Sequence, residues 1–314
     1  MTYTGKQYVT NTKQPPPPKK PKRKIRWGRL FLLLLLFCFV LTITGAAGYG
    51  FYLERKIAAE PSEDAAALDP AQPINLLLIG LDSDPNATEE TRRTTMNADT
   101  LILATIQADK KKASLITLPG NTRIQLSTGP NPLSAAYAVG GFDQLKQSVE
   151  QLTGVTVDRY AMVDFPAFRK AIDSLGGIPF ELDRPVTDPE GHVHLQAGKR
   201  TLSGQEALAV VRFRQDGQNG TTRPDRQQRF LNALLATARR SHVIDWLTSI
   251  RNMSDTFRTD MTISEMGTLA TALQQDDAVI TTDTAPGVPL NLYGASYWKV
   301  DDQALLEIVE QAQH

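Results

Sequence analysis

Cysteine is almost absent from this 314-residue chain: the one cysteine, Cys38, sits within a run of apolar residues. No disulfide can then staple the rest of the chain, so any folded domain must be held by its own core. Histidine is scarce too, with four in all. His192 and His194 stand two apart, but no cysteine or further clustered histidine completes a zinc set. They read instead as the exposed face of a strand ending at Leu195. No G-x-S-x-G, P-loop or H-E-x-x-H motif occurs, and no internal repeat. Net charge is absent as well, because 34 Lys/Arg balance 34 Asp/Glu.

That balance conceals a strong asymmetry. The first 29 residues hold nine Lys/Arg and no acidic residue, and Pro15–Pro18 add a stiff, solvated stretch. Leu30–Leu53 follows, 24 residues without a charge. As a helix it would be about 36 Å long, against a bilayer hydrocarbon core of roughly 30 Å. The basic cluster Lys19–Arg29 directly before it places the N-terminus on the cytoplasmic side. Trp27 at one end and Tyr49 and Tyr52 at the other fit interfacial aromatic belts. A cleaved leader is the alternative, with Gly45-Ala46-Ala47-Gly48 as a small-residue cleavage site. The continuation of the apolar run through Leu53 favours a retained anchor.

The chain thus divides into a basic cytoplasmic tail (1–29), a transmembrane helix (30–53), an acidic Ala/Pro-rich linker (54–72) and an outer domain (73–314). The outer domain has 242 residues, enough for one large core. A disulfide-free outer domain fits a Gram-positive bacterium, and the N-x-S/T triplets at Asn86, Asn219 and Asn252 then read as chance matches.

Within that domain, short apolar runs at 74–80, 100–107 and 113–118 are strand candidates, the last two joined by a turn at Asp109–Lys112. Further strands are expected at 159–165, 178–182 and 278–283. Helices are expected at 142–152, 166–175, from Ser203, from Pro224 to about Arg240, at 262–274 and at 301–311. Ser203 with Glu206 forms a capping box. The Gly140-Gly141 and Gly176-Gly177 pairs read as turns. The interleaving of strands and helices predicts an α/β fold with a mixed central sheet flanked by helices, preceded by one transmembrane helix.

Two clusters could hold an anionic ligand. Asp82, Asp84 and Asp99 lie at strand ends, where carboxylates either cap turns or, as hard oxygen donors, bind Mg²⁺. Arg212 and Arg214, two apart, would share one side of an extended segment. Arg223 and Arg226, three apart, would share a helix face, with Gln227 and Gln228 next to them. Guanidinium forks at a helix N-terminus suit phosphate; the alternative is a solvated basic face.

Seven stretches in this order resemble the LytR–CpsA–Psr family of cell-wall glycopolymer ligases: INLLLIGLDSD (74–84), NADTLILATI (97–106), ITLPGNTRI (116–124), LSAAYAVGG (133–141), VDFPAFRKAIDSLGGI (163–178), LQAGKRTLSGQEALAVVRFR (195–214) and RPDRQQRFLNALL (223–235). The resemblance implies a mixed sheet enclosing an apolar pocket for a polyprenyl chain. It also implies transfer of a phosphorylated glycopolymer, of teichoic acid or capsule type, from a polyprenyl-diphosphate carrier to peptidoglycan at the cytoplasmic membrane. Asp82 and Asp99 would then hold Mg²⁺, or Mn²⁺ in its place. Arg212, Arg214, Arg223 and Arg226 would be catalytic, with Gln227, Arg123 and Asn121 binding substrate. Asp84 is a candidate general base by its proximity to Asp82.

The sequence departs from the family at one loop. Members commonly read I-P-R-D-T where this chain has Leu118-Pro119-Gly120-Asn121-Thr122. An aspartate often found before the arginine block is also missing at Asn219-Gly220-Thr221. A second reading is therefore a catalytically weakened member that binds polyprenyl phosphate or partners another envelope enzyme. Nucleic acid is not expected as a partner, because the 29-residue tail carries no DNA-binding fold.

Overall fold

The computed structural model describes residues 68–69, 71–82, 97–188, 191–213, 223–240, 257–292 and 294–314, all within a unit spanning Tyr49–His314. For Asp82, Asn97, Asp99 and residues 223–225 the backbone alone is described. The expected tail, the span 30–53 and most of the linker lie outside these residues. Among the described residues no helix is long and apolar enough to cross a membrane.

The domain is built on β1 (Ile74–Asp82), β2 (Asn97–Gln107) and β3 (Lys112–Leu118), paired antiparallel in that order. The β2–β3 turn needs a left-handed residue, which Lys111 supplies at φ 54°. A small hairpin, β4 (Arg123–Leu126) and β5 (Gly129–Pro132), leads into α1 (Ala136–Thr153). Next come β6 (Arg159–Asp164), α2 (Phe165–Ser174), β7 (Ile178–Leu182), β8 (Val186–Thr187), β9 (His194–Leu195), β10 (Gly198–Leu202) and α3 (Gly204–Arg212). The chain continues through α4 (Arg223–Ala238), β11 (Phe257–Thr259), α5 (Ile263–Leu273), β12 (Val279–Thr284), the hairpin β13 (Gly287–Leu292) and β14 (Ala295–Val300), and α6 (Asp302–Gln313).

The central sheet has the order β11-β6-β1-β2-β3-β12. β1/β6 and β3/β12 are parallel and the other pairs antiparallel, so the sheet is mixed as expected. Side chains alternate across it. Leu77, Ile79 and Leu81 join Leu101, Ile116 and Leu118 in one core, closed by Leu145 and Val149 of α1 and Leu305 and Val309 of α6. Leu76, Ile102, Ala104 and Leu115 face the other way, against Met266 and Leu269 of α5 and Leu231 and Leu235 of α4. A third core joins Ile172 of α2, Val210 of α3 and Phe230 of α4 to Ile178 and Phe180 of β7. Each fully buried Leu contributes about 1.5–3 kcal/mol relative to exposure, and the two filled faces make the sheet a rigid frame.

Several boundaries differ from expectation. Gly140-Gly141 is a kink inside α1 rather than a turn, with Gly141 at φ 66° and ψ −157°, and the helix starts six residues before Phe142. The segment around Val210–Arg212 is helical, not extended, because the capping box of Ser203 and Glu206 starts α3 and burial of Val210 carries it on. Tertiary burial here overrides the weak helix propensity of paired valines. Arg212 therefore ends a helix, and the two-apart argument linking it to Arg214 does not apply. The strand expected at 178–182 is present but pairs with β10, outside the central sheet.

Candidate functional site

A cavity of about 640 Å³ lies between the sheet and helices α2, α3 and α4. Its wall is apolar over much of its extent, with Ile102 and Val163 from the sheet and Phe168, Leu208, Phe230 and Leu234 from the helices. The α4 contribution follows helical spacing: Gln227, Phe230, Leu231 and Leu234 line the cavity at i, i+3, i+4 and i+7. Gly80 thins the β1 wall, since a Cβ there would stand 3.0 Å from Thr100 Cβ.

Polar groups gather on the loop after β3 and at helix starts. Pro119, Gly120 and Asn121 line the cavity together with Ser134. This loop is fixed by backbone hydrogen bonds: Thr122 N to Pro119 O (2.8 Å), Ser134 N to Gly120 O (2.8 Å) and Trp298 N to Asn121 O (2.9 Å). Gly120 is not among the glycines with positive φ, so its backbone does not require glycine. Asp164, also on the wall, caps α2 by accepting from Ala167 N at 2.8 Å. The Asp164 carboxylate thus meets the positive end of the α2 dipole at the cavity edge. The Arg212 guanidinium stands 4.7 Å from the ring centre of Phe165, another wall residue.

The structure distributes the expected site residues unevenly. Gln227 and Asn121 line the cavity, and Gln227 Nε2 donates to Val211 O at 3.2 Å. Arg226 lies behind the wall, 1% exposed. Its Nε donates to Val210 O at 3.1 Å, its Nη2 donates to Phe213 O, and its Cζ is 5.0 Å from the Phe213 ring centre. Arg123 is exposed at the start of β4 and is not among the cavity-lining residues. Arg223 opens α4, and Arg214 and Asp84 lie outside the described residues.

Asp82 ends β1, paired with Asn97, and Asp99 is the extra residue where the β1–β2 register shifts between Gly80 and Leu81. The bulge brings both positions to the end of β1 that borders the cavity at Gly80 and Leu81. Two carboxylates are a donor set that fits a hard divalent cation.

Sequence reasoning missed Asp164 and Thr284 as wall residues, and the contacts of Gln228. The signal for Asp164 was present, because Asp-Phe-Pro reads as an N-cap followed by proline in the first turn. Gln228 bridges α4 to β12 through Thr282 O (2.8 Å) and Thr284 Oγ1 (3.3 Å), a pairing invisible in the sequence. The exposed His194 contacts Thr187 Oγ1 at 3.2 Å through Nδ1, at a surface hairpin remote in sequence from every wall residue of β1–β3.

A broader depression of about 840 Å³ opens to solvent along α5, lined by small and acidic residues such as Gly267 and Asp109, and it holds none of the expected site residues. A charged cluster marks the start of β6. Arg159, 5% exposed, bonds Glu265 at 2.9 Å, and Asp260 accepts from Tyr160 N at 2.8 Å. Burial pushes the Asp260 carboxyl above its ordinary value, outweighing the Tyr160 N–H and the Arg159 charge. Burial also pulls the Glu265 carboxyl upward, but the hydrogen bonds from Arg159 and Thr262, with the Arg159 charge, overcome it and hold that carboxyl low. Both groups sit at the opposite end of β6 from the cavity residue Val163.

Comparison with known proteins is consistent across sequence and fold. The LytR_cpsA_psr family model matches residues 47–314. The Bacillus subtilis polyisoprenyl-teichoic acid–peptidoglycan teichoic acid transferase TagV is 30% identical over 226 residues, 65% of this chain and 56% of that protein. The chain thus spans little more than half the length of that relative. The Enterococcus faecalis transferase TagU of the same description is 24% identical over 78% of this chain and 80% of its own. Among solved structures, B. subtilis TagV superposes with a TM-score of 0.65 at 27% identity, covering 77% of this chain and 96% of that one. TagT bound to LIIa-WTA gives 0.64 at 22% identity, covering 81% and 95%, a likeness of fold.

Proposed function

This chain belongs to the LytR_cpsA_psr family, and from that premise we propose that it transfers a phosphate-linked glycopolymer of teichoic acid type from a polyprenyl-diphosphate carrier to peptidoglycan. The observation that carries the reading is the cavity: about 640 Å³ behind a largely apolar wall, edged by a polar loop and the start of α2. A lipid with a diphosphate head needs both parts in one place.

Phosphoryl transfer depends mainly on alignment and on neutralising charge at the transferred group. An acceptor hydroxyl attacks the phosphorus that carries the polymer and forms the new P–O bond. The phosphoanhydride link breaks, polyprenyl monophosphate leaves with the electron pair, and the hydroxyl proton passes to solvent or a base. Arg212 at the cavity edge supplies positive charge, joined in this reading by Arg214 and Arg223. Asn121 and Gln227 offer amide donors on the wall. Arg226 is a positioning residue, since its guanidinium is engaged with the end of α3. A divalent cation, Mg²⁺ or Mn²⁺, held by the carboxylates of Asp82 and Asp99 would neutralise the diphosphate further. The expected anchor would keep the domain at the leaflet where such a carrier is presented.

Gly120 supports the second reading. It places no cation on the cavity loop where relatives of the resembled pattern carry arginine, which favours slow transfer or lipid binding without transfer. The full chain in a lipid nanodisc, given a polyprenyl-diphosphate glycopolymer, a peptidoglycan fragment and Mg²⁺, tests the proposal. Release of polyprenyl monophosphate with covalent linkage of the polymer is the expected result. Absence of both, with lipid bound, would leave the binding role and reject transfer.

A further inference from the structure

Close to the cavity loop stands a surface that the transfer reaction does not use. In the β13–β14 hairpin the cross-strand pairs Val288–Lys299, Leu290–Tyr297 and Leu292–Ala295 share one face. Trp298 and Val300, on the opposite face, pack into the first core, and Trp298 Nε1 donates to Ala285 O at 3.1 Å. Gly287 permits that close seat, because a Cβ there would meet Trp298 Nε1 at 2.6 Å. Val288, Leu290, Leu292 and Tyr297 belong to none of the three cores; Val288 is 59% exposed and the other three are half-buried.

The face continues onto β4. Thr122 bridges Trp298 in parallel, both inward, so Arg123 and Lys299, one residue further on each strand, point outward together. Both are exposed, and neither forms an ion pair among the described residues. The four strands β4, β5, β13 and β14 contain no acidic residue. Aliphatic side chains, a tyrosine and two long cations with no ion-pair partner among the described residues are the composition of a bilayer interface contact, where Lys and Arg reach toward headgroups and Tyr sits among them. A sugar-binding face would instead need several carboxylate and amide groups to pair with hydroxyls; here Gln125 of β4 is the one amide beside Arg123, and the β13–β14 side chains of this face are mostly apolar.

We propose that the outward face of β13–β14, together with Arg123, rests on an anionic lipid surface beside the cavity. Continuity argues for the site as well as composition. Trp298 N holds the carbonyl of Asn121, a wall residue, so a bilayer touching this hairpin lies against the loop through which a lipid headgroup would pass. The route from bilayer to cavity rests on the lipid-carrier reading; the contact itself is measurable without any transfer.

The test uses the full chain in vesicles. Cys38→Ser removes the one native cysteine, and Ala295→Cys, at an exposed hairpin position, carries an environment-sensitive fluorophore. A matching label at Lys199→Cys on β10, which pairs with β7 alone, is the reference. Vesicles of phosphatidylglycerol and phosphatidylcholine contain nitroxide-labelled headgroup lipid as quencher. Expected is quenching at position 295 several-fold above that at 199. It should fall on replacing phosphatidylglycerol with phosphatidylcholine, and in Arg123→Glu/Lys299→Glu, where each lost cation near an anionic surface is worth about fivefold in partitioning. Equal quenching at both positions overturns the proposal, as does quenching indifferent to lipid charge. Shielding of the 295 label by soluble peptidoglycan fragments, without lipid quenching, also overturns it and assigns the face to sugar. Each of these outcomes is separable from the transfer assay, which reads polyprenyl monophosphate.

Discussion

Arg226 clamps the end of α3 to the start of α4 by donating its Nε hydrogen to the Val210 carbonyl at 3.1 Å. The guanidinium is buried and also engages Phe213 O, so its charge serves two backbone acceptors that α3 leaves open at its C-terminus. Arg226→Ala strands both carbonyls and is expected to cost about 3 kcal/mol. For a domain of this size that is roughly 6–12 °C in Tm by calorimetry. Loss of transfer in this variant is then a consequence of a displaced α3–α4 junction. An unchanged Tm with abolished transfer would instead put Arg226 on the substrate.

Gly120 gives a gain-of-function expectation. Its backbone lacks the positive φ that would penalise a side chain, and it lines the cavity. Gly120→Arg adds a charge-assisted hydrogen bond to a diphosphate, worth about 1.5–3 kcal/mol. Transfer rate should rise about tenfold or more, measured as polyprenyl monophosphate released per enzyme. A rate equal to that of the wild type would show that the loop does not approach the phosphates.

Filling the cavity should separate lipid binding from folding. Leu231 is half-buried at the edge of the second core and lies on the wall, so Leu231→Trp directs part of its added volume into the open cavity. Affinity for a polyprenyl phosphate is expected to fall by at least tenfold in a lipid-binding titration, with Tm altered by less than about 3 °C. Undiminished affinity would locate the lipid elsewhere.

Acid stability should report the Arg159–Glu265–Asp260 cluster. The Glu265 carboxyl is held below its ordinary 4.5, so its contribution is present above that pH and is lost as pH falls through the depressed value. Asp260 is raised above 3.8, so its contribution is full below 3.8 and is lost as pH rises through the raised value. Glu265→Gln should flatten the loss of stability on acidification below pH 4.5. Asp260→Asn keeps an acceptor for Tyr160 N and should match or exceed wild-type stability at pH 7. Urea titrations at pH 3.5, 5 and 7 check both, and a steeper acid loss in Glu265→Gln would reverse the assignment.

The sheet strands were legible where burial on both faces wrote continuous apolar runs, as in Leu76–Ile79 and Leu101–Ala104. Helix starts were legible where chemistry marks them, at Ser203, Thr262 and Pro166. The hairpins β4–β5 and β13–β14 were not, because Pro130, Pro132 and Pro289 interrupt short strands whose residues are mostly half-buried or exposed on both faces. Within the site, Gln227 and Asn121 were singled out from the sequence and line the cavity, but the burial of Arg226 was not legible there. Spacing placed Arg226 on a helix face; only the packing of α4 on α3 turns that face inward. The apolar stripe Phe230-Leu231-Leu234 lines the cavity, which periodicity alone cannot distinguish from a core face.

Mass spectrometry of the lipid that copurifies with the full chain after gentle extraction tests the central claim most directly. The account predicts a polyprenyl mono- or diphosphate at near-stoichiometric amount, reduced in Leu231→Trp. A cavity that returns no lipid, or one occupied only by phosphate-free lipid, would contradict it.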